Sequence, residues 1–135
     1  MPSAPRLVVA LVPDLFFATR IAATAKSAGI ALELVRAEKL ADRLAGGDVS
    51  LVVLDLHALA ALERLAEAKR VAPGTPVVGF HSHVETALRR DALAAGADAV
   101  LPRSAFTARL AAILTRGLDA LASGPAEPRG AGAGA

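Results

Sequence analysis

Five short apolar runs, each followed by a longer segment of helical periodicity, constrain this 135-residue chain more than any other feature. Leu7–Val12, Ile30–Val35, Ser50–Asp55, Pro76–Phe80 and Ala99–Leu101 have the length and Val/Leu content of strands. Between them, apolar residues recur at the spacing of one buried helix face. The first helix is expected to start at Asp14, an N-cap residue type, with Phe17, Ile21, Ala25 and Ala28 inward and Gly29 closing it. Further helices are expected over Glu38–Ala45, Leu59–Val71, Val84–Ala95 and Ser104–Leu121.

Strands alternating with helices of this length make right-handed βαβ crossovers and a parallel sheet. The continuous runs Leu7–Val12 and Leu51–Asp55 suit central strands, whereas Glu33 inside Ile30–Val35 suits an edge. The expected fold is therefore α/β, a flavodoxin-like doubly wound five-stranded parallel sheet of order 2-1-3-4-5 with five helices. It would occupy residues 6–121. Residues 122–135 form a Gly/Ala/Pro-rich tail with no periodic apolar face, expected to be disordered.

Composition removes several function classes. Hydrophobic residues reach 54%, yet no apolar run approaches the roughly 18–20 residues of a membrane span. With no Cys there is no disulfide framework, thiolate metal site or Cys nucleophile, and the chain reads as cytoplasmic. Net charge is +2, with signs mixed along the chain and no Trp or Tyr, so nucleic acid is not an expected partner. Pro13-Asp14-Leu15 follows the first strand where a nucleotide-binding glycine loop would stand. Ser82, His81 and Asp55 could be written as a triad, but no Gly-x-Ser-x-Gly elbow presents the serine. The chain is not expected to be an enzyme.

Asp55 is the first functional candidate, because it ends an apolar strand at the edge where open α/β sheets place their functional groups. Together with Leu51–Asp55, the segments Ala28-Gly29, Pro76-Val77-Val78-Gly79-Phe80 and Gly96-Ala97-Asp98-Ala99-Val100-Leu101 give the chain a pattern that resembles the response-regulator receiver domain over residues 6–121. The resemblance implies that Asp55 is equivalent to the family's phosphoacceptor. It also implies a pocket made of Val12, Pro13, Asp14, His81, Ser82, Arg103 and Ser104.

In that family an acidic pair after the first strand holds Mg²⁺ beside the phosphoacceptor. Here Val12 and Pro13 occupy those places, with Asp14 one step beyond. The switch hydroxyl falls on His81, or on Ser82 after a slip of one residue. The family's lysine and proline correspond to Arg103 and Ser104, and its aromatic switch to Val100. A carboxylate receiving a phosphoryl group needs a hard cation with oxygen ligands, which Val12 and Pro13 cannot supply. The expectation is an atypical receiver, or pseudo-receiver, in which Arg103 pairs with Asp55 and holds one permanent state. No cofactor is expected; Mg²⁺ enters only if Asp55 is phosphorylated at an unorthodox metal site, the first alternative.

A second alternative is a divalent-metal module using His57, His81 and His83, all placed after the third and fourth strands. Asp55-Leu56-His57 also matches part of a cobalamin-binding run, but it follows the wrong strand, and Ala60 replaces the glycine. Read as one domain without an effector, the chain would act through a protein partner in a signalling pathway, or as a homodimer. The resemblance places such contacts on Arg89, Arg90, Val100, Arg109 and Arg116. Helix one, with adjacent Phe16 and Phe17, is the other candidate surface.

Overall fold

The computed structural model describes residues 6–82 and 86–122. Its sheet has five parallel strands in the order β2-β1-β3-β4-β5. These are β1 (Leu7–Leu11), β2 (Ala31–Leu34), β3 (Leu51–Asp55), β4 (Val77–His81) and β5 (Ala99–Pro102). The flavodoxin-like order expected from the sequence is the one observed, with Glu33 on an edge strand and Leu51–Asp55 at the centre.

Strand periodicity divides the core in two. Val8, Ala10 and Val12 face one side with Leu51 and Val53, while Val9 and Leu11 face the other with Val52 and Leu54. On the first side lie α1 (Leu15–Ala28) and the C-terminal helices; on the second lie α2 (Leu40–Ala45), α3 (Ala61–Val71) and α4 (Thr86–Ala95). A turn of 3₁₀ helix, Ala37–Lys39, leads into α2.

The start of α1 follows the local rule. Asp14 is extended (φ −67°, ψ 109°), and its carboxylate accepts from the N–H groups of Phe16 and Phe17 at 3.0 and 3.2 Å. Gly29 ends the helix in the left-handed region at φ 74°, and its N–H reaches the carbonyls of Ala25 and Lys26.

The helix expected over Ser104–Leu121 is instead three segments, which brings the number of α-helical segments among the described residues to seven. They are α5 (Arg103–Ala108), α6 (Leu110–Arg116) and α7 (Asp119–Ala122). At Arg109 (φ −114°, ψ 16°) the backbone N–H is shared between Ala105 and Phe106, each 3.2 Å away, so the helix bends without stopping. At Gly117 (φ 61°, ψ −134°) the chain takes a conformation that side chains oppose, and α6 ends.

Candidate functional site at the carboxyl edge of the sheet

Parallel register carries four sequence-distant segments to one edge. Leu11 pairs with Leu54, Asp55 with Phe80, and His81 with Pro102, so Val12, Asp55, His81 and Arg103 all lie at or just beyond the strand ends. Asp55 is half-buried. Its Oδ1 accepts from the His57 N–H at 2.9 Å, and Ala58 N–H closes a turn on its carbonyl at 3.0 Å. Among the described residues Asp55 makes no ion pair.

The pairing expected between Arg103 and Asp55 is not the one formed. Arg103 Nη2 donates to Asp14 Oδ2 at 3.1 Å. The reason lies in how α5 begins: Arg103 is its first residue, directly after Pro102 of β5. From there its guanidinium lies over the Phe17 ring of α1, 3.9 Å from the ring centre, beside the Asp14 cap. Phe17 rests edge-on against Phe80 (5.1 Å) and Phe106 (6.0 Å), and those two rings stack at 4.9 Å. Arg103 thus tops an aromatic stack and closes it with an ion pair.

Asp14 is held below the usual carboxylate value of about 3.8, mainly because it accepts from the Phe17 N–H and next because of Arg103. Val12 is buried in the apolar core, and the exposed Pro13 carries no side-chain oxygen. The residues present therefore do not fit an Mg²⁺ site. Asp14 is committed to the helix cap and to Arg103.

His81, expected at the switch position, is the one buried polar side chain among the described residues. Ser82 is exposed, and its backbone N–H donates to His57 Nε2 at 3.1 Å. Through this contact the His57 imidazole ties the loop after β3 to the loop after β4. His83 lies outside the described residues. Among the described residues no three His, Asp or Glu side chains are grouped to hold a metal ion. Ser104 is exposed on the first turn of α5.

The residues proposed for docking on α4, β5 and the C-terminal helices are largely engaged within the chain. Arg89 Nη1 donates to the Val100 carbonyl at 2.7 Å, while the Val100 side chain is buried. Arg109 donates to the Ala120 carbonyl, and Arg116 Nη2 to the Asp119 carbonyl at 3.3 Å. Arg90 meets Asp91 at 3.4 Å on an exposed face. By contrast, Leu15 and Phe16 at the start of α1 are 74% and 89% exposed.

Sequence reasoning found Asp14 as a cap but missed the stack of Arg103 on Phe17 and the link from His57 to Ser82. The signal available was that Phe17 lies on the inner face of α1 one turn from Asp14. Nothing in the sequence brought Arg103 to that turn.

No family model matches the chain, and no curated protein does either. Solved structures do. A receiver domain protein from Methanospirillum hungatei shares 15% identity at a TM-score of 0.71, covering 90% of this chain and 100% of its own. NtrX from Brucella abortus, solved with ADP, shares 20% identity at a TM-score of 0.73; the match covers 86% of this chain but only 26% of NtrX. A response regulator protein from Burkholderia pseudomallei, carrying a phosphorylated aspartic acid and a calcium ion, shares 20% identity at a TM-score of 0.65 over 88% of this chain and 75% of its own. The fold is that of response-regulator receiver domains.

Proposed function

We propose that this chain is a pseudo-receiver, a signalling domain that works through protein–protein contact without conventional Mg²⁺-dependent phosphorylation. The observation that carries this reading is where the charges at the sheet edge go. Arg103, in the lysine's place, is bound to Asp14 and Phe17 and not to Asp55. Val12 and Pro13 supply no cation ligand from their side chains. A phosphoryl group on Asp55 would bring two anions together with no metal to neutralise them. Arg103 would have to abandon an ion pair and a ring contact to help.

The test is incubation with Mg²⁺ and a small phosphodonor such as acetyl phosphate, followed by intact-mass analysis. The expected result is no added phosphate. A stoichiometric, acid-stable and base-labile phosphate that disappears in Asp55→Asn would overturn the reading. It would support instead a phosphorelay acceptor with an unorthodox metal site.

Partner contact is assigned to the start of α1, where Leu15 and Phe16 present apolar surface that the described residues leave largely uncovered. The Arg89, Arg109 and Arg116 groups are less suited, because their guanidinium groups already donate to carbonyls of the chain. Photo-cross-linking in cells from position 16 should trap a defined protein. Equal trapping from Val71, on the opposite edge at the end of α3, would refute the assignment.

A further inference from the structure

A cleft of about 340 Å³ opens at the carboxyl edge, between the loop after β2 and the loop after β3, across the end of β1. Open α/β sheets bind ligands in this kind of crevice, where the strand order reverses, here on either side of β1. Its volume lies at the small end of the range of about 300–1,000 Å³ that ligand sites span.

The walls are apolar. Leu11, Val12 and Pro13 come from the end of β1, Val35 from the end of β2, and Ala58 and Leu59 from the loop after β3. The same Val12 and Pro13 that fail as cation ligands thus serve as part of this wall. Leu59 stands at the mouth, 89% exposed, held there by the turn in which Ala60 adopts φ 56°. Only two lining residues carry charge, Arg36 and Glu38, and they neutralise each other through a 3.0 Å ion pair.

We infer that this cleft is a binding site for an uncharged, largely apolar small molecule. The lining selects the class. Apart from the solvent-exposed Arg36–Glu38 pair the lining offers only aliphatic side chains, so a neutral ligand gains apolar contact, whereas a charged one would lose its hydration against them. Such a ligand would give a domain without phosphoryl input a chemical input of its own. The inference goes beyond the pseudo-receiver reading and is read without any phosphodonor, so either can fail alone.

The experiment is a fluorescence titration of the full chain with N-phenylnaphthylamine, an uncharged two-part aromatic probe, with amide chemical-shift mapping of the complex. The expected result is saturable one-to-one binding, with shifts concentrated in residues 11–12, 35–38 and 58–59. Leu59→Asp at the exposed mouth and Ala37→Phe in the wall should each weaken binding by about tenfold or more, with Tm preserved in at least the first. Phe16→Asp, outside the cleft, should leave binding unchanged.

Absence of saturable binding would overturn the inference, as would shifts centred on Phe16 and Arg20. Tighter binding of the anionic probe anilinonaphthalenesulfonate would overturn the assignment to a neutral ligand. Concentration-dependent self-association that Leu59→Asp abolishes, with no probe uptake, would give the cleft to a second copy of the chain.

Discussion

Arg103 has two attachments, a carboxylate and a ring face, and the chemistry of each sets a different expectation. A lysine at this position would keep the charge but lose the planar contact over Phe17. Arg103→Lys should therefore cost about 0.5–1 kcal/mol in urea denaturation, the usual worth of an accessible cation–π contact. An unchanged midpoint would mean that the ring contact contributes nothing. The ion pair is read better through Asp14. Its depressed folded value means that its contribution to stability is complete above the unfolded-state value and disappears as pH falls through the folded one. Arg103→Ala removes the second cause of that depression and leaves the first, the Phe17 N–H. The Asp14 midpoint, followed by carboxyl-carbon NMR, should move upward yet stay below about 3.8. A midpoint that does not move would show that the pair is not formed in solution. The two features differ in how legible they were. The cap is made within three residues, so Asp14 could be read from its neighbours. The ion pair joins residues 89 apart in sequence, and no local pattern encodes a contact of that range.

Turns and helix ends decide how the elements meet, and two small residues there behave oppositely. Gly96 has φ 117°, and a Cβ at that position would come within 2.7 Å of Lys69 Cγ on α3. Lys69 cannot readily withdraw, because its Nζ is held by the Thr75 carbonyl at 3.0 Å and by Asp98 at 3.1 Å. Gly96→Ala should cost about 1–3 kcal/mol from backbone strain and crowding together. Ala60, by contrast, already occupies the left-handed region at φ 56° just before α3. Ala60→Gly should leave Tm unchanged or raise it, because relief of that strain offsets the entropy that glycine adds to the unfolded chain. A fall in Tm as large as that of an ordinary helix-interior Ala→Gly change, about 1 kcal/mol, would contradict this. Element types and most boundaries were readable from periodicity and from Gly29 and Gly96, whereas the stop at Gly117 was not, because the helix was expected to run through it to Leu121. The bend at Arg109 was not, since the apolar spacing Phe106, Leu110, Ile113 and Leu114 runs through it unbroken. What places the bend is the fit of α5 and α6 onto the sheet, a property of packing.

Across the whole molecule, stability rests on two cores with β1 and β3 between them, and the aromatic cluster joins one core to the candidate site. Phe80 is fully buried on β4, touching Phe17 of α1 and Phe106 of α5. Phe80→Ala should therefore cost about 3–5 kcal/mol and loosen Arg103 through Phe17. Denaturation together with the Asp14 titration would check both, and a large loss of stability with an unmoved Asp14 midpoint would separate the core from the site. The order 2-1-3-4-5, the edge position of β2 and the burial of β1 and β3 follow from which runs are continuously apolar and from the handedness of βαβ crossovers. These depend on side-chain chemistry repeated at fixed spacing, which a linear string displays. The same is true of the missing acidic pair, since Val12 and Pro13 have no side-chain oxygens in any fold. Where Arg103 points is different in kind. So are the link from His57 to Ser82 and the hollow enclosed by the ends of β1, β2 and β3. Each depends on distances between segments that only the assembled sheet brings together, and a choice between two acceptable carboxylates is settled by ångströms of geometry that composition and spacing do not carry.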